Sequence, residues 1–200
     1  MRNLVKFLFD RFFALVGVVL ATPLFIIIPI IIKLGSRGKV FFLQKRVGKN
    51  GNLFTMFKFR TMTLSDSLNT VTTKNDSRIT PEGGFLRKWK LDELPELVNV
   101  LIGDMSFVGP RPDVPGYADL LNGKDRKILE LRPGITGPAT LKYLDEEEIL
   151  ANVADPVEYN DTVIFPDKVK INLKYLETFS LFGDLKIIFD TLIRKKYDEY

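Results

Sequence analysis

The chain has 200 residues, with 29 Lys and Arg against 25 Asp and Glu, for a net charge of +4. It contains no histidine and no cysteine. That excludes the usual imidazole base, any thiolate nucleophile, disulfides and ordinary zinc sites, and leaves chemistry to carboxylates, Lys, Tyr, Ser, Thr or an oxygen-bound metal.

The first element is apolar. Phe12 to Ile32 carries no charge, and as a helix at ~1.5 Å per residue it would reach roughly 31 Å, about the thickness of a bilayer's hydrocarbon core. Hydropathy alone predicts a span. Pro23 breaks the backbone ladder near the middle and Pro29 follows, while the Thr22 hydroxyl is placed to bond a carbonyl freed by the break. Basic residues flank both ends: Arg2, Lys6 and Arg11 before, and Lys33, Arg37, Lys39, Lys45 and Arg46 after. A spanning helix would show a bias to one side. A helix that dips into one leaflet and returns is therefore preferred over a span, and a signal peptide is third, since no small-x-small cleavage site follows.

Val40–Val47 and Leu53–Arg60 alternate and are joined by Gly48-Lys-Asn-Gly51, which predicts a β-hairpin. Its aromatics are interleaved with Lys45, Arg46, Lys58 and Arg60, a surface suited to stacking on nucleic acid or lying on anionic lipid. The neighbouring apolar segment favours lipid or a lipid phosphate over nucleic acid. Residues 63–84 turn polar and read as a loop over a site. Phe85–Lys90 then brings Arg87, Lys88 and Lys90 close to two adjacent carboxylates, Asp92 and Glu93, where cations would hold the acids ionised and attract phosphate.

Apolar residues at Leu91, Leu94, Leu97, Val98, Leu101 and Ile102 have helical spacing. Pro95 must lie in the first turn, which makes Asp92 the expected N-cap and puts both acids at the positive end of the helix. Capping and dipole complementation alone would also explain these acids; a divalent cation or phosphoryl group would favour the same end. Met105–Val108 reads as a short strand. Gly109-Pro-Arg-Pro112 follows as a stiff loop that fixes Arg111, suited either to clamping a phosphate or to a structural ion pair. Arg132-Pro-Gly-Ile-Thr-Gly-Pro138 is a second such loop, whose backbone could approach a ligand closely. Asp145–Glu148 is expected to start a solvated helix. The stripe Leu181, Phe182, Leu185, Ile188, Phe189, Leu192 and Ile193 predicts a core-packed helix, with the membrane interface as the second reading. There is no G-x-G-x-x-G, P-loop or D-x-D.

With these residues in view the chain resembles the bacterial sugar transferases, the monotopic polyprenyl-phosphate phosphoglycosyl transferases. The resemblance rests on the proline-broken first helix, Gln44-Lys-Arg46, Lys58-Phe-Arg-Thr-Met62, Leu91-Asp-Glu-Leu-Pro95, Gly103-Asp-Met-Ser106, Val108-Gly-Pro-Arg-Pro112 and Arg132-Pro-Gly-Ile-Thr-Gly137. It implies an α+β, predominantly helical and membrane-associated fold, the minimal catalytic unit without extra spanning helices. A re-entrant helix would occupy 1–36, continuous with a catalytic domain over 37–200 on the cytoplasmic face of the bacterial inner membrane. It also implies a reaction. Asp92 would attack the sugar-linked phosphorus of a UDP-sugar, release UMP and form a phosphosugar-aspartyl intermediate; a polyprenyl phosphate, undecaprenyl phosphate in expectation, would then take the phosphosugar. Glu93 would support a Mg²⁺ site with Asp92 or deprotonate the acceptor. Arg111, Arg87, Arg60, Lys58 and Arg132 would hold phosphates. A homo-oligomer is compatible with the resemblance.

Two positions depart from the family. Thr22-Pro23 stands where it often has Ser-Pro, and Lys90 stands where it often has serine. Two other readings stay open here: a glycosyltransferase releasing UDP, which the missing D-x-D disfavours, and a non-catalytic membrane adaptor, which leaves the Asp-Glu pair unexplained.

Overall fold

The computed structural model describes residues 2–63 and 78–198. The polar stretch expected to loop over a site falls largely on 64–77, outside the described residues. Among the described residues the chain is mostly helical, with two small sheets.

Helix α1 (Arg2–Leu20) and helix α2 (Thr22–Gly35) meet at Ala21 with a bend of 59°. Pro23 lies in the first turn of α2, where its missing N–H ends the ladder of α1, and the Thr22 hydroxyl donates to the Val18 carbonyl at 3.1 Å. The bond expected from the sequence is thus formed. Among the described residues no single helix is long and apolar enough to cross a membrane; the bent pair meets that test together. Each limb buries one face. Ala14 of α1 packs on Phe54, Met56, Val100 and Met105, while Ile28 and Ile32 of α2 pack on Phe59 and Leu86, at about 1.5–3 kcal/mol for each large side chain buried. Leu4, Leu8, Phe12, Leu20, Ile26 and Leu34 stay exposed. Polar contacts also hold α1: Lys6 pairs with Asp184, and buried Asp10 accepts a hydrogen bond from the Ser106 hydroxyl at 2.7 Å.

The hairpin forms as expected, with β1 (Phe41–Val47) antiparallel to β2 (Leu53–Phe59) and Gln44 opposite Met56. Its turn places Asn50 and Gly51 at positive φ, which suits those residue types. Helix α3 (Pro81–Lys88) is capped by Thr80, whose hydroxyl accepts from the Gly83 amide. Helix α4 (Glu96–Ile102) comes after a 3-10 turn over Leu91–Glu93.

Strand β3 (Ser106–Val108) pairs in parallel with β4 (Gly134–Thr136). The Arg132–Pro138 loop lies close against the Gly109 backbone, since a Cβ on Gly134 would overlap the Gly109 main chain and a Cβ on Gly109 the Arg132 carbonyl.

Short helices α5 (Pro138–Lys142), α6 (Glu146–Ala151) and α7 (Pro156–Tyr159) lead through a π-turn (Asn160–Ile164) to α8 (Phe165–Thr178) and α9 (Leu181–Leu192). The acidic run 145–148 does start a helix. Tyr175 of α8 and Phe179, just past its end, join Val108, Leu131, Leu141 and Ile187 in a buried cluster. The core-packing expectation for α9 is overturned. Its buried face carries Asp184, Ile187 and Asp190, whereas Phe182, Phe189 and Leu192 are exposed. The buried acids have partners that repay desolvation: the Lys6 ammonium and the Tyr175 hydroxyl for Asp184, and Lys186 and the Tyr197 hydroxyl for Asp190.

Candidate active site

Pro95 determines how the two carboxylates are presented. Having no amide hydrogen, it leaves the Leu91 carbonyl to the Leu94 amide, at 3.3 Å, and the chain tightens into the 3-10 turn. The α-helix proper begins at Glu96, so Asp92 is not its N-cap and its side chain caps nothing. Instead the Asp92 carboxylate is buried, and its Oδ1 accepts no hydrogen bond. Burial, and then the neighbouring Glu93 charge, push its carboxyl above the ordinary aspartate range against the pull of Lys58, Lys90 and Arg87. The downward pull expected of the nearby cations is therefore outweighed at Asp92.

At Glu93 that pull prevails. Burial alone would raise this carboxyl, but Arg111, Lys58 and Lys90 together, with a hydrogen bond from Lys58, hold it well below the usual glutamate range. One oxygen, Oε1, receives both the Lys58 ammonium at 2.7 Å and the Arg111 guanidinium at 3.2 Å. Lys58 also reaches Glu96 at 3.1 Å. The hairpin, the 3-10 turn and the Gly109–Pro112 loop thus meet at one charged cluster. Glu96, three residues after Glu93 and so on the same helical face, joins this cluster through Lys58. It is buried, which raises its carboxyl.

Two contacts missed in the sequence set this geometry. The Asn99 side chain is fully buried and bonds the backbone of β2 at Thr55 and Phe57, fixing α4 against the strand that carries Lys58. Arg46 donates to the Pro112 carbonyl at 3.0 Å and to Gln44, holding the loop of Arg111 against β1. An Asn three residues after Glu96, on the same face of the expected helix, was the available signal for the first. Asp113, beside Arg46, Arg111 and Lys168, has its carboxyl pushed up to about 6 by burial.

Of the cations expected at the site, Lys58 and Arg111 are there. Arg87 pairs with Glu147 at 3.4 Å while its charge still acts on Asp92. Arg60 and Arg132 are elsewhere. The Arg60 guanidinium is buried against the end of α2, donating to the Arg37 and Ser36 carbonyls and the Ser36 hydroxyl. Arg132 donates to the Gly103 carbonyl and stacks on Phe7, 4.6 Å from the ring centroid. With Arg11, bonded to the Ile102 carbonyl, it caps the C-terminus of α4, about 10 Å along the helix from the acids. Both arginines neutralise carbonyls that a helix end leaves unpaired.

No group of three or more acidic side chains able to hold a metal by themselves occurs among the described residues.

A family model described as bacterial sugar transferase matches residues 1–196. The chain is 38% identical over 197 residues to the UDP-glucose:undecaprenyl-phosphate glucose-1-phosphate transferase of Xanthomonas campestris pv. campestris, covering 94% of this chain and 38% of that protein. It is 33% identical over 201 residues to the exopolysaccharide production protein ExoY of Rhizobium meliloti, covering 92% and 82%. To the UDP-N-acetylgalactosamine-undecaprenyl-phosphate N-acetylgalactosaminephosphotransferase of Aeromonas hydrophila it is 36% identical over 191 residues, covering 92% and 41%. The chain thus spans about two fifths of the two named transferases and about four fifths of ExoY.

Proposed function

The chain belongs to the bacterial sugar transferase family, and from that premise we propose that it is a membrane-associated phosphoglycosyl transferase, moving a sugar 1-phosphate from a UDP-sugar to a polyprenyl phosphate and releasing UMP. The names of two relatives, which specify undecaprenyl phosphate and a sugar-phosphate transfer, support this reaction class. The observation that carries it is Asp92: a buried carboxylate with an unpartnered oxygen, set among cations.

Asp92 attacks the phosphorus joined to the sugar. A carboxylate oxygen–phosphorus bond forms, the bond to the bridging oxygen of the diphosphate breaks, and UMP leaves with the electron pair. A phosphate oxygen of the polyprenyl acceptor then attacks the same phosphorus and returns the electron pair to Asp92. Burial favours the first step, because the ionised carboxylate has little water to shed before it reacts. Arg111 is about half exposed and its charge faces the site, which suits it to the donor's phosphates. Glu93 acts by position. Held below the ordinary range between Lys58 and Arg111, it is a weak base at neutral pH, and this favours support of the site over deprotonation of the acceptor.

Mg²⁺ would fit this donor set only together with the donor's diphosphate. The unpartnered Asp92 oxygen fits as one ligand and the diphosphate would complete the shell, with Glu93 beside it, as magnesium sites built on one or two carboxylates and a phosphate substrate do. When bound, the ion would offset charge between carboxylate and diphosphate.

The bent α1 and α2 pair would enter and leave one leaflet on the cytoplasmic face of the bacterial inner membrane, and the outward apolar side of α9 would lie in the interface. The test is the nucleotide released when the detergent-solubilised protein meets a panel of UDP-sugars with Mg²⁺ and polyprenyl phosphate. UMP is expected, from some sugars only, and Asp92→Asn is expected to abolish it while leaving the melting temperature intact. Release of UDP would mean that sugar alone is moved, and full activity in Asp92→Asn would sink the nucleophile assignment.

A further inference from the structure

The cations whose charge acts on Asp92 are Lys58, Lys90 and Arg87. Lys58 is committed to Glu93 and Glu96, and Arg87 to Glu147. Lys90 is exposed and, among the described residues, its ammonium has no ion-pair partner. It also sits on an unusual backbone. Lys90 has φ 56 and ψ 22, the left-handed region that a lysine seldom adopts. The conformation joins two elements: the Lys90 amide bonds the Arg87 carbonyl at the end of α3, and the Lys90 carbonyl receives the Glu93 amide, at 3.2 and 3.3 Å. A glycine or asparagine would make the same turn at less cost. A lysine with an uncommitted ammonium is therefore fixed, by its backbone, two residues before the buried carboxylate, in a turn that disfavours a side chain.

We infer that Lys90 is a phosphate-binding residue, whose ammonium receives the uridine-bearing phosphate of the donor and of the departing nucleotide beside Asp92. The inference rests on the reading of Asp92 as the site of attack and adds a ligand contact to it. A free ammonium near a bound diphosphate gains a charge-assisted hydrogen bond without first breaking an ion pair of its own. Arg111 would have to share its charge with Glu93. Lys90 would therefore contribute more to nucleotide affinity than its exposed position suggests.

The experiment uses the full chain in detergent micelles, with Kd for UMP measured by calorimetry and KM and kcat measured from UMP release. Lys90→Asn and Lys90→Gly keep the left-handed turn and remove the charge; Lys90→Arg keeps the charge. Both neutral variants should bind UMP about tenfold more weakly than wild type, with KM rising in parallel, while Lys90→Arg stays within about twofold. Their affinity should also depend less on salt than that of wild type. Wild-type UMP affinity in Lys90→Asn overturns the inference. So does Lys90→Arg binding as weakly as Lys90→Asn, which would assign the residue to the backbone turn alone. If the wild-type protein neither binds UMP nor releases it from any donor, the proposed reaction itself falls, and with it this inference, a result separate from a wild type that binds and variants that do not differ.

Discussion

Removing the Lys58 ammonium should cost more than any other single charge deletion at the site. Lys58→Met keeps the length of the side chain and leaves two acids facing each other at the start of α4. Among the described residues, Glu96 would lose the cation it pairs with, and Glu93 would keep its direct ion pair with half-exposed Arg111 alone. The side chains of Lys58, Glu93 and Glu96 are 15%, 13% and 5% exposed, so the pairs are largely shielded from water. Breaking a buried ion pair by deleting one partner costs about 3–5 kcal/mol, far above the 1 kcal/mol or less of a surface pair. For a chain of this size that corresponds to a fall in Tm on the order of 10 °C. Thermal or denaturant unfolding of the purified protein, followed by circular dichroism, measures it. Adding Glu96→Gln to Lys58→Met should recover part of the loss, because the neutral amide no longer needs the cation. A Lys58→Met protein within about 1 kcal/mol of wild type, or a double variant no more stable than the single, would refute the view of this cluster as a buried network.

Two further outcomes follow from the geometry. Asp113 has a folded pKa of about 6, above the ~3.9 of an unfolded aspartate, so the proton it retains stabilises the fold fully below about pH 4, and this is lost as pH climbs through 6. Asp113→Asn should therefore raise Tm at pH 8, by at most about 3 kcal/mol in stability, and leave it unchanged near pH 4; a gain equal at both pH values would contradict burial as the cause. Restoring the amide hydrogen with Pro23→Leu should let α1 and α2 run on. Cysteines placed near Arg2 and Arg37 are expected to react from the same side of the membrane in the parent and from opposite sides in the variant, and opposite-side reaction in the parent would rule out a re-entrant pair.

The hairpin and the bend at Pro23 were legible in the sequence because each follows from local chemistry: alternation around a glycine turn and a missing amide hydrogen. Lys58 and Arg111 were expected near Glu93 only through the family resemblance, because they come from segments distant along the chain. The start of α4 was misread by one turn, since Pro95 permits a first turn of either α or 3-10 form and only the packed geometry chooses. Arg60 and Arg132 looked like phosphate ligands because a cation near a motif has the same sequence signature whether it meets a substrate or a helix carbonyl. The face of α9 was inverted for a related reason. Hydropathy assigns Asp184 and Asp190 to water, and nothing local in the sequence announces that Lys6 and Tyr175, distant along the chain, satisfy the first or that Tyr197 helps satisfy the second.

The Asn99 carboxamide accepts from the Phe57 amide at 3.0 Å and donates to the Thr55 carbonyl at 2.8 Å. Those are the outward-facing groups of β2, on the side away from β1, so one side chain imitates the peptide unit of a third strand. A two-stranded ribbon with an open edge is a template for pairing with another copy of itself. Here the open edge is plugged at its centre by a residue of α4, and the same plug fixes the register that points Lys58 at Glu93. Slippage by one residue would turn Lys58 to the other face of the ribbon, so protection against edge-to-edge aggregation and alignment of the charged cluster depend on the same two hydrogen bonds.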